Sequence, residues 1–180
     1  MLTLYTFSTE NWGRPEPEVA SLMRLAEHYA RREVDELNQN NVQLRMLGRR
    51  ERLPRSLLRA IDEGMHSTAG NTGLVLNMAV NYGGRTEIVD AARAVVTAVR
   101  QGELNPALLN ENVMDRYVYT AGLPDPGLVI RTAGEMRLSN FLIWQVVGAF
   151  FWSTPTYWPD FEKRHLLAAI RGWQQDRERA

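Results

Sequence analysis

The sequence contains no cysteine, which excludes disulfide bonds, thiolate metal ligands and thiol catalysis. It has no apolar run near the roughly 20 residues of a membrane-spanning helix, and its first seven residues lack the basic start and long apolar stretch of a secretory signal. Neither sign of charge is in excess, because 21 Lys+Arg balance 21 Asp+Glu. These absences predict a cytoplasmic protein with no transmembrane segment and no nucleic-acid partner.

The 180 residues, 44% of them hydrophobic and 23% charged, have the ordinary composition of one soluble globular domain. Strand-like apolar runs alternate with segments of helical periodicity. The predicted strands cover 2–7, 42–47, 74–80 and 127–131, the main predicted helices cover 19–37, 53–65, 88–99 and 166–173, and 141–151 fits either a helix or a strand. This alternation predicts an α/β fold with a mainly parallel sheet flanked by helices, in a single domain over 1–180.

Three polar clusters follow the first, third and fourth predicted strands, at 7–14, 81–85 and 131–140. Ligands of open α/β sheets bind beyond the carboxyl ends of the strands, so the clusters are predicted to share one edge. Their arginines, hydroxyls and glycine-containing loops suit an anionic, oxygen-rich ligand such as a phosphate or diphosphate. The sequence has neither a GxxxxGKS/T loop nor a GxGxxG loop, so the known nucleotide fingerprints do not explain these clusters.

Arg131 is the sharpest anion-binding candidate because it ends an apolar strand, where a guanidinium without an anion is costly. An internal salt bridge with Glu135 or Glu10 is the alternative, and both interpretations stay open. Six arginines between positions 45 and 59 form another basic stretch. A solvated helix start is favoured for it over a lipid-headgroup or nucleic-acid patch.

Four motifs, in order and spread over nearly the whole chain, carry a family resemblance. They are Phe7–Trp12 followed by Arg14-Pro15, Asn81–Arg85, Arg131–Phe141 and Trp158–Phe161. With them the chain resembles the cis-prenyltransferases of the undecaprenyl diphosphate synthase type. The resemblance implies a parallel sheet flanked by helices, a homodimer, and an apolar tunnel lined by the helix that carries Leu22, Met23, Ala26, Tyr29 and Ala30.

The same resemblance implies a reaction that condenses isopentenyl diphosphate with an allylic diphosphate such as farnesyl diphosphate, with Mg²⁺ as cofactor. By matching position, it implies that Arg131, Arg137 and Ser139 bind isopentenyl diphosphate and that Asn11 is the catalytic residue that assists proton removal. Guanidinium forks and a serine hydroxyl suit diphosphate oxygens. Further substrate-binding residues implied in this way are Phe7, Ser8, Thr9, Glu10, Trp12, Arg14 and Leu138.

The chain departs from the family pattern at both carboxylates expected to serve magnesium. Family members begin with an earlier strand and an aspartate-bearing loop that do not occur here, so the domain is predicted to be N-terminally incomplete and to lack the first strand. Phe150 occupies the second carboxylate position, and its ring cannot ligate a hard cation. Three explanations stay open: a fragment of an ordinary enzyme, a non-catalytic diphosphate-binding homologue or subunit, and a diverged, metal-poor chemistry.

Overall fold

The computed structural model describes residues 1–179, so Ala180, the last residue of the predicted domain, lies outside the described residues. The strands are β1 (Leu2–Ser8), β2 (Gln43–Leu47), β3 (Val75–Tyr82), β4 (Leu128–Arg131) and β5 (Phe150–Ser153). The helices are α1 (Glu16–Arg32), α2 (Val34–Gln39), α3 (Arg55–Ser67), α4 (Gly84–Arg100), α5 (Glu111–Met114) and α6 (Lys163–Arg177). Short 3-10 turns occupy Thr9–Gly13, Pro106–Leu108 and Trp158–Asp160.

All strand pairs are parallel, which confirms the predicted α/β fold with helices flanking parallel strands. β3 lies between β1 and β2 in a three-stranded sheet, and β4 pairs with β5 in a second sheet. Within residues 1–179, the remaining edges of β1 and β4 have no strand partner. The loops that follow the strands of a parallel sheet fall at its carboxyl edge, where α/β proteins bind their ligands.

The main hydrophobic core lies between the three-stranded sheet and the helices α1 and α3. Successive strand residues point to opposite faces, and Phe7 and Val80 meet Met23 of α1 and Leu57 of α3 in one buried cluster. The opposite face contributes to a second cluster, which joins the sheet to the segment that follows β4. Its buried members are Leu47, Ala79, Tyr82 and Leu142.

The prediction of one continuous helix over 19–37 is wrong at Glu33, where α1 ends and α2 begins. The apolar positions continue across the break, because Ala30 and Val34 both face Gly64 of α3. A Cβ at Gly64 would lie 3.3 Å from Cγ2 of Val34 and 3.8 Å from the backbone oxygen of Ala30. The break therefore lies beside Gly64 of α3, a tertiary contact that local periodicity does not contain.

Segment 141–151 is neither a helix nor a strand over most of its length, since only β5, from Phe150 on, is regular. Leu142 has φ 46° and Gly148 has φ 81°, both in the left-handed region. Such dihedrals are incompatible with either regular element. Among the described residues, no helix has the length and apolar character needed to cross a membrane.

Arg49, the second arginine of the basic stretch, is bound within the fold. It donates to Asp90 of α4 through Nε at 2.7 Å and Nη2 at 2.5 Å, and Tyr119 donates its hydroxyl proton to the same carboxylate. The hydrogen bonds from Arg49 outweigh partial burial and hold the pKa of Asp90 below its ordinary value. This ion pair connects the turn after β2 to α4.

We expect Asp90→Asn to lower the free energy of unfolding by about 1–2 kcal/mol near neutral pH, because hydrogen bonds to a charged group are lost. The folded-state pKa of Asp90 lies below its unfolded value, so this stability is present above the unfolded pKa and is lost as the pH falls through the folded pKa. Urea denaturation near pH 7 and at acid pH measures the difference, which should shrink as the pH falls through the folded-state pKa.

The matched control is Asp125→Asn. Burial raises the pKa of the Asp125 carboxyl, so removing its charge should cost no stability at neutral pH. If Asp90→Asn and Asp125→Asn unfold at the same urea concentration near neutral pH, the role assigned to the Arg49–Asp90 pair is wrong.

Candidate functional site

A polar cavity of about 480 Å³ opens at the carboxyl ends of β1 and β4. Its lining residues are Tyr5, Ser8, Glu10, Asn11, Arg131, Ser139 and Asn140. The first four belong to β1 and the turn after it, and the last three belong to β4 and the loop that follows it. The first and third polar clusters of the sequence therefore meet at one site.

An irregularity in β1 directs neighbouring side chains to two different places. The pairing of β1 with β3 shifts register between Tyr5 and Phe7 and again before Ser8. Bulges of this kind re-aim side chains. Phe7 is accordingly only 5% exposed in the core, whereas Tyr5 and Ser8 line the polar cavity.

Arg131 and Arg137 converge on one carboxylate, Glu135. Arg131 forms a short ion pair with it, and Nη2 of Arg137 lies 2.8 Å from its Oε1. Only Arg131 also lines the cavity, because the side chain of Arg137 is 72% exposed. The internal salt bridge considered for Arg131 is thus present, beside an open cavity. The hydrogen bond from Arg131 is the main reason why the pKa of Glu135 lies below its ordinary value.

The turn Thr9–Gly13 orients Asn11 and Glu10. The backbone N–H of Ser8 donates to Oδ1 of Asn11 at 2.8 Å, so Asn11 presents its amide nitrogen as a donor. Glu10 accepts a hydrogen bond from Nδ2 of Asn140 at 2.6 Å. Burial raises the pKa of Glu10, but its hydrogen bonds, first of all the one from Asn140, outweigh burial and lower it. Glu10 is therefore ionised at neutral pH.

Six other predicted site residues do not line the cavity. Trp12 donates from Nε1 to Oδ1 of Asn81 at 2.7 Å, and its ring packs edge-on against Phe7. Arg14 pairs with Glu18 in the first turn of α1, at 2.5 Å. The predicted residues outside the lining are Phe7, Thr9, Trp12, Arg14, Arg137 and Leu138. Their roles in binding stay predictions.

The second polar cluster, 81–85, allows the two lining segments to approach each other. A Cβ at Gly83 would lie 2.5 Å from Oγ1 of Thr9 and 2.8 Å from Nδ2 of Asn140. A Cβ at Gly84 would lie 2.6 Å from Cγ1 of Ile143. Because both residues are glycine, the turn after β1 and the loop after β4 can close on the start of α4.

Two lining residues, Tyr5 and Asn140, are not among the site residues that the sequence predicts. Tyr5 stacks on Phe141 with ring centroids 4.5 Å apart. Burial, assisted by the charge of Glu10, raises the pKa of Tyr5 to about 12, so its hydroxyl stays protonated. Strand alternation alone places Tyr5 opposite Leu4 and Thr6, whereas the bulge that turns Phe7 away from the side of Tyr5 has no sequence signal. For Asn140, the sequence signal is its position as the last residue of the 131–140 polar cluster.

An apolar cavity of about 680 Å³ lies between the three-stranded sheet and α1. β1 contributes Leu4, Thr6 and Phe7 to its wall, next to the residues that β1 gives to the polar cavity. The helix residues in its wall include all five that the resemblance implies for a tunnel, Leu22, Met23, Ala26, Tyr29 and Ala30. The two cavities therefore lie on either side of one strand.

Within residues 1–179, no group of three or more His, Asp or Glu side chains is arranged to hold a metal ion. Near the polar cavity, Glu10 accepts a hydrogen bond from Asn140, and Glu135 forms ion pairs with Arg131 and Arg137. The ring of Phe150 packs toward α6, where its Cε1 lies 3.4 Å from the place of a Cβ on Gly172. The described residues thus do not form an all-protein ligand set for Mg²⁺.

Comparison with known proteins gives a consistent result. The family model of undecaprenyl diphosphate synthase matches residues 1–180. The isoprenyl transferase of Bacillus cereus is 47% identical over 174 residues, which are 97% of this chain and 67% of that protein. The isoprenyl transferase of Bacillus subtilis is 48% identical over 175 residues, with the same coverage. The chain spans about two thirds of the length of these relatives.

Two solved structures share the fold closely. The lavandulyl diphosphate synthase of Lavandula x intermedia, solved with dimethylallyl diphosphate, aligns with a TM-score of 0.92 and 38% identity over 96% of this chain and 75% of that one. A probable undecaprenyl diphosphate synthase from Campylobacter jejuni aligns with a TM-score of 0.84 and 32% identity over 96% of this chain and 79% of that one.

We expect Gly83→Ala to weaken the binding of inorganic pyrophosphate by about tenfold or more, because the new methyl group displaces Thr9 and Asn140 and opens the cavity. Isothermal titration measures the affinity, and circular dichroism checks the fold. Gly13→Ala is the matched control, because no atom lies within 4 Å of a Cβ there. Equal affinities of the two variants would contradict this role of Gly83.

Proposed function

We infer the reaction from one premise: the chain belongs to the undecaprenyl diphosphate synthase, or cis-prenyltransferase, family, whose members are prenyltransferase enzymes. We propose that it condenses isopentenyl diphosphate with an allylic diphosphate of the farnesyl diphosphate type: a new carbon–carbon bond forms as the allylic carbon–oxygen bond breaks, inorganic diphosphate leaves, a proton is lost, and the product is a cis-polyprenyl diphosphate. The plant relative solved with dimethylallyl diphosphate supports this, since that ligand is itself an allylic diphosphate.

The observation that carries the proposal is the position of the two cavities on either side of β1. Tyr5 and Ser8 line the polar cavity, whereas Leu4, Thr6 and Phe7 line the apolar one. A prenyl diphosphate has the same division, with a charged head and a hydrocarbon tail. The two substrates can divide in the same way: the polar cavity suits the diphosphate of isopentenyl diphosphate, and burial of the allylic substrate's hydrocarbon tail in the apolar cavity supplies binding free energy in proportion to the area removed from water.

The polar cavity offers the diphosphate of isopentenyl diphosphate three kinds of donor. Arg131 supplies a guanidinium fork once it exchanges Glu135 for the ligand. Ser139 supplies a hydroxyl, and Asn11 supplies its amide nitrogen. A carboxamide is not a base, so Asn11 serves proton removal by orienting the substrate. Held in this way, the second substrate is positioned before the new carbon–carbon bond forms.

Magnesium, which the family resemblance implies, does not fit the donor set of the described residues. Glu10 already accepts a hydrogen bond from Asn140, and Glu135 already forms ion pairs with Arg131 and Arg137. Phe150 offers only a hydrocarbon ring. We therefore derive no step through a metal ion, and the contacts assigned to Arg131, Ser139 and Asn11 are direct. The expectation that the 1–180 domain is N-terminally incomplete stays a prediction.

We also propose a homodimer. Met136, Tyr157 and Trp158 are large apolar side chains with more than half of their surface exposed. They lie on two loops that are joined by hydrogen bonds from Ala133 N–H to Thr156 and from Gly134 N–H to Thr154. These side chains offer apolar contact area on two linked loops, and the family resemblance implies that the partner is a second copy of the chain. The cytoplasmic location stays a prediction.

The test of the reaction is incorporation of labelled isopentenyl diphosphate into a longer prenyl diphosphate, with farnesyl diphosphate and Mg²⁺ supplied. Turnover by the purified 180-residue chain supports the proposal. If the chain binds isopentenyl diphosphate but shows no turnover, alone or with the upstream segment of a relative added, the protein is a non-catalytic diphosphate-binding homologue and the proposed reaction is wrong.

We expect Arg131→Ala to weaken isopentenyl diphosphate binding by about 1.5–3 kcal/mol, the scale of a hydrogen bond to a charged group. Arg137→Ala should cost less, about 1 kcal/mol or below, because its guanidinium is exposed and lies outside the cavity lining. Isothermal titration measures both. The control is Arg93→Ala, an equally exposed arginine on α4. A loss for Arg93→Ala as large as that for Arg131→Ala would remove Arg131 from the site.

A further inference from the structure

Asn140, on the loop after β4, forms hydrogen bonds with the two other segments that meet at the polar cavity, the start of α4 and the turn after β1. Its backbone oxygen accepts from the N–H of Gly84 at 2.8 Å, and its Oδ1 accepts from the N–H of Arg85 at 2.8 Å. Its Nδ2 donates to Oε1 of Glu10 at 2.6 Å. The first turn of α4 thus holds the loop after β4, and the same side chain extends the connection to the turn after β1.

The backbone at this position suits asparagine specifically. Ser139 and Asn140 have φ values of 50° and 64°, in the left-handed region that asparagine tolerates better than most residues. The side chain must accept one hydrogen bond and donate another over a short reach. Among short side chains only the asparagine amide does both with two different atoms, since aspartate at neutral pH has no donor and alanine has neither group.

We propose that Asn140 is a positioning residue for the proposed reaction: it sets the spacing between the Arg131–Ser139 side of the polar cavity and the turn that carries Asn11. The inference rests on the proposed function, because the spacing matters for a diphosphate that contacts both sides. Asn140 acts through Glu10 and the start of α4. It therefore supports the groups that bind the ligand, and its effect is expected on affinity.

The connection is separate from the groups that hold the fold together. Asn140 and Glu10 are partly or largely exposed, whereas the core residues Phe7, Val80 and Leu57 are buried elsewhere. Loss of one exposed hydrogen bond has a small effect on global stability. A merely structural role would therefore change the melting temperature and the affinity together, whereas a positioning role changes the affinity with little change in melting temperature.

The decisive experiment swaps the hydrogen-bonding roles of Asn140 and Glu10, so that the donor becomes the acceptor and the acceptor becomes the donor. In Asn140→Asp, one oxygen can still accept from the Arg85 N–H, but the other faces the carboxylate of Glu10 and repels it. Adding Glu10→Gln to Asn140→Asp restores both the net charge and the hydrogen bond, now donated by the glutamine to the aspartate. Asn105→Asp, at an exposed turn start remote in sequence from the cavity segments, adds the same charge and is the control.

The readouts are isopentenyl diphosphate affinity by isothermal titration, melting temperature, and amide hydrogen exchange of residues 9–13 in the full chain. We expect Asn140→Asp to weaken isopentenyl diphosphate binding about tenfold or more and to speed hydrogen exchange in residues 9–13. The double variant with Glu10→Gln should recover most of both properties, and Asn105→Asp should change neither. Unchanged affinity in Asn140→Asp, or no recovery in the double variant, would overturn the proposal.

Failure of the proposed function gives a different result. If the unsubstituted chain does not bind isopentenyl diphosphate, the proposed reaction is wrong, and hydrogen exchange alone then decides the positioning role. Faster exchange of 9–13 in Asn140→Asp, reversed by Glu10→Gln, would still show that Asn140 couples the two loops. Exchange that is the same in all variants would refute that coupling.

Discussion

The polar cavity depends on how closely two loops approach the start of α4. At Gly83 a side chain would collide with Thr9 and Asn140, and at Gly84 it would collide with Ile143. Because Gly83 and Gly84 have no side chain, the neighbouring segments can approach closely, as they do around glycines in many ligand-binding loops. The arginine, serine and asparagine of the cavity act together only because this approach is possible.

Charge within the site is balanced by its own side chains. Glu135 lies between Arg131 and Arg137 and neutralises part of their charge at the place where a diphosphate would contribute its own. Such a carboxylate stabilises the protein without ligand, because a half-buried guanidinium without a counter-charge is costly. Affinity for a diphosphate is then a difference between two sets of ion pairs, so it is smaller than the new contacts alone suggest.

Much of this architecture could be predicted from the sequence, and the residues explain where prediction stopped. Alternating apolar runs predicted the parallel strands, and the ends of β1 and β4 placed Ser8 and Arg131 at one edge. The break at Glu33 lies beside Gly64, which is far away in sequence. The left-handed backbone at Asn140 depends on hydrogen bonds to α4. Tertiary contacts decided these features, and local patterns do not contain them.

Magnesium binding shows the same difference between what a family's motifs predict for the fold and what they predict for one ligand position. The motif order identified the family, and that identification is confirmed. Whether this chain keeps every part of the family's chemistry depends on single positions such as Phe150, where an aromatic ring packs toward Gly172 of α6. Family membership constrains the fold strongly, because hundreds of contacts must agree. It constrains each ligand position weakly, because one substitution can change a ligand set and leave the fold intact.

Within residues 1–179, β1 and β4 belong to two separate sheets, which meet at a seam. On one side lie the three-stranded sheet and its helices, and on the other lie β4, β5 and the packed helix α6. Side-chain contacts such as Tyr5 on Phe141 and Gln145 on Glu87 bridge the seam, together with the backbone hydrogen bond from Gly84 to Asn140. A molecule bound in the polar cavity touches both halves, so occupancy opposes their separation and links ligand affinity to the cooperativity of unfolding.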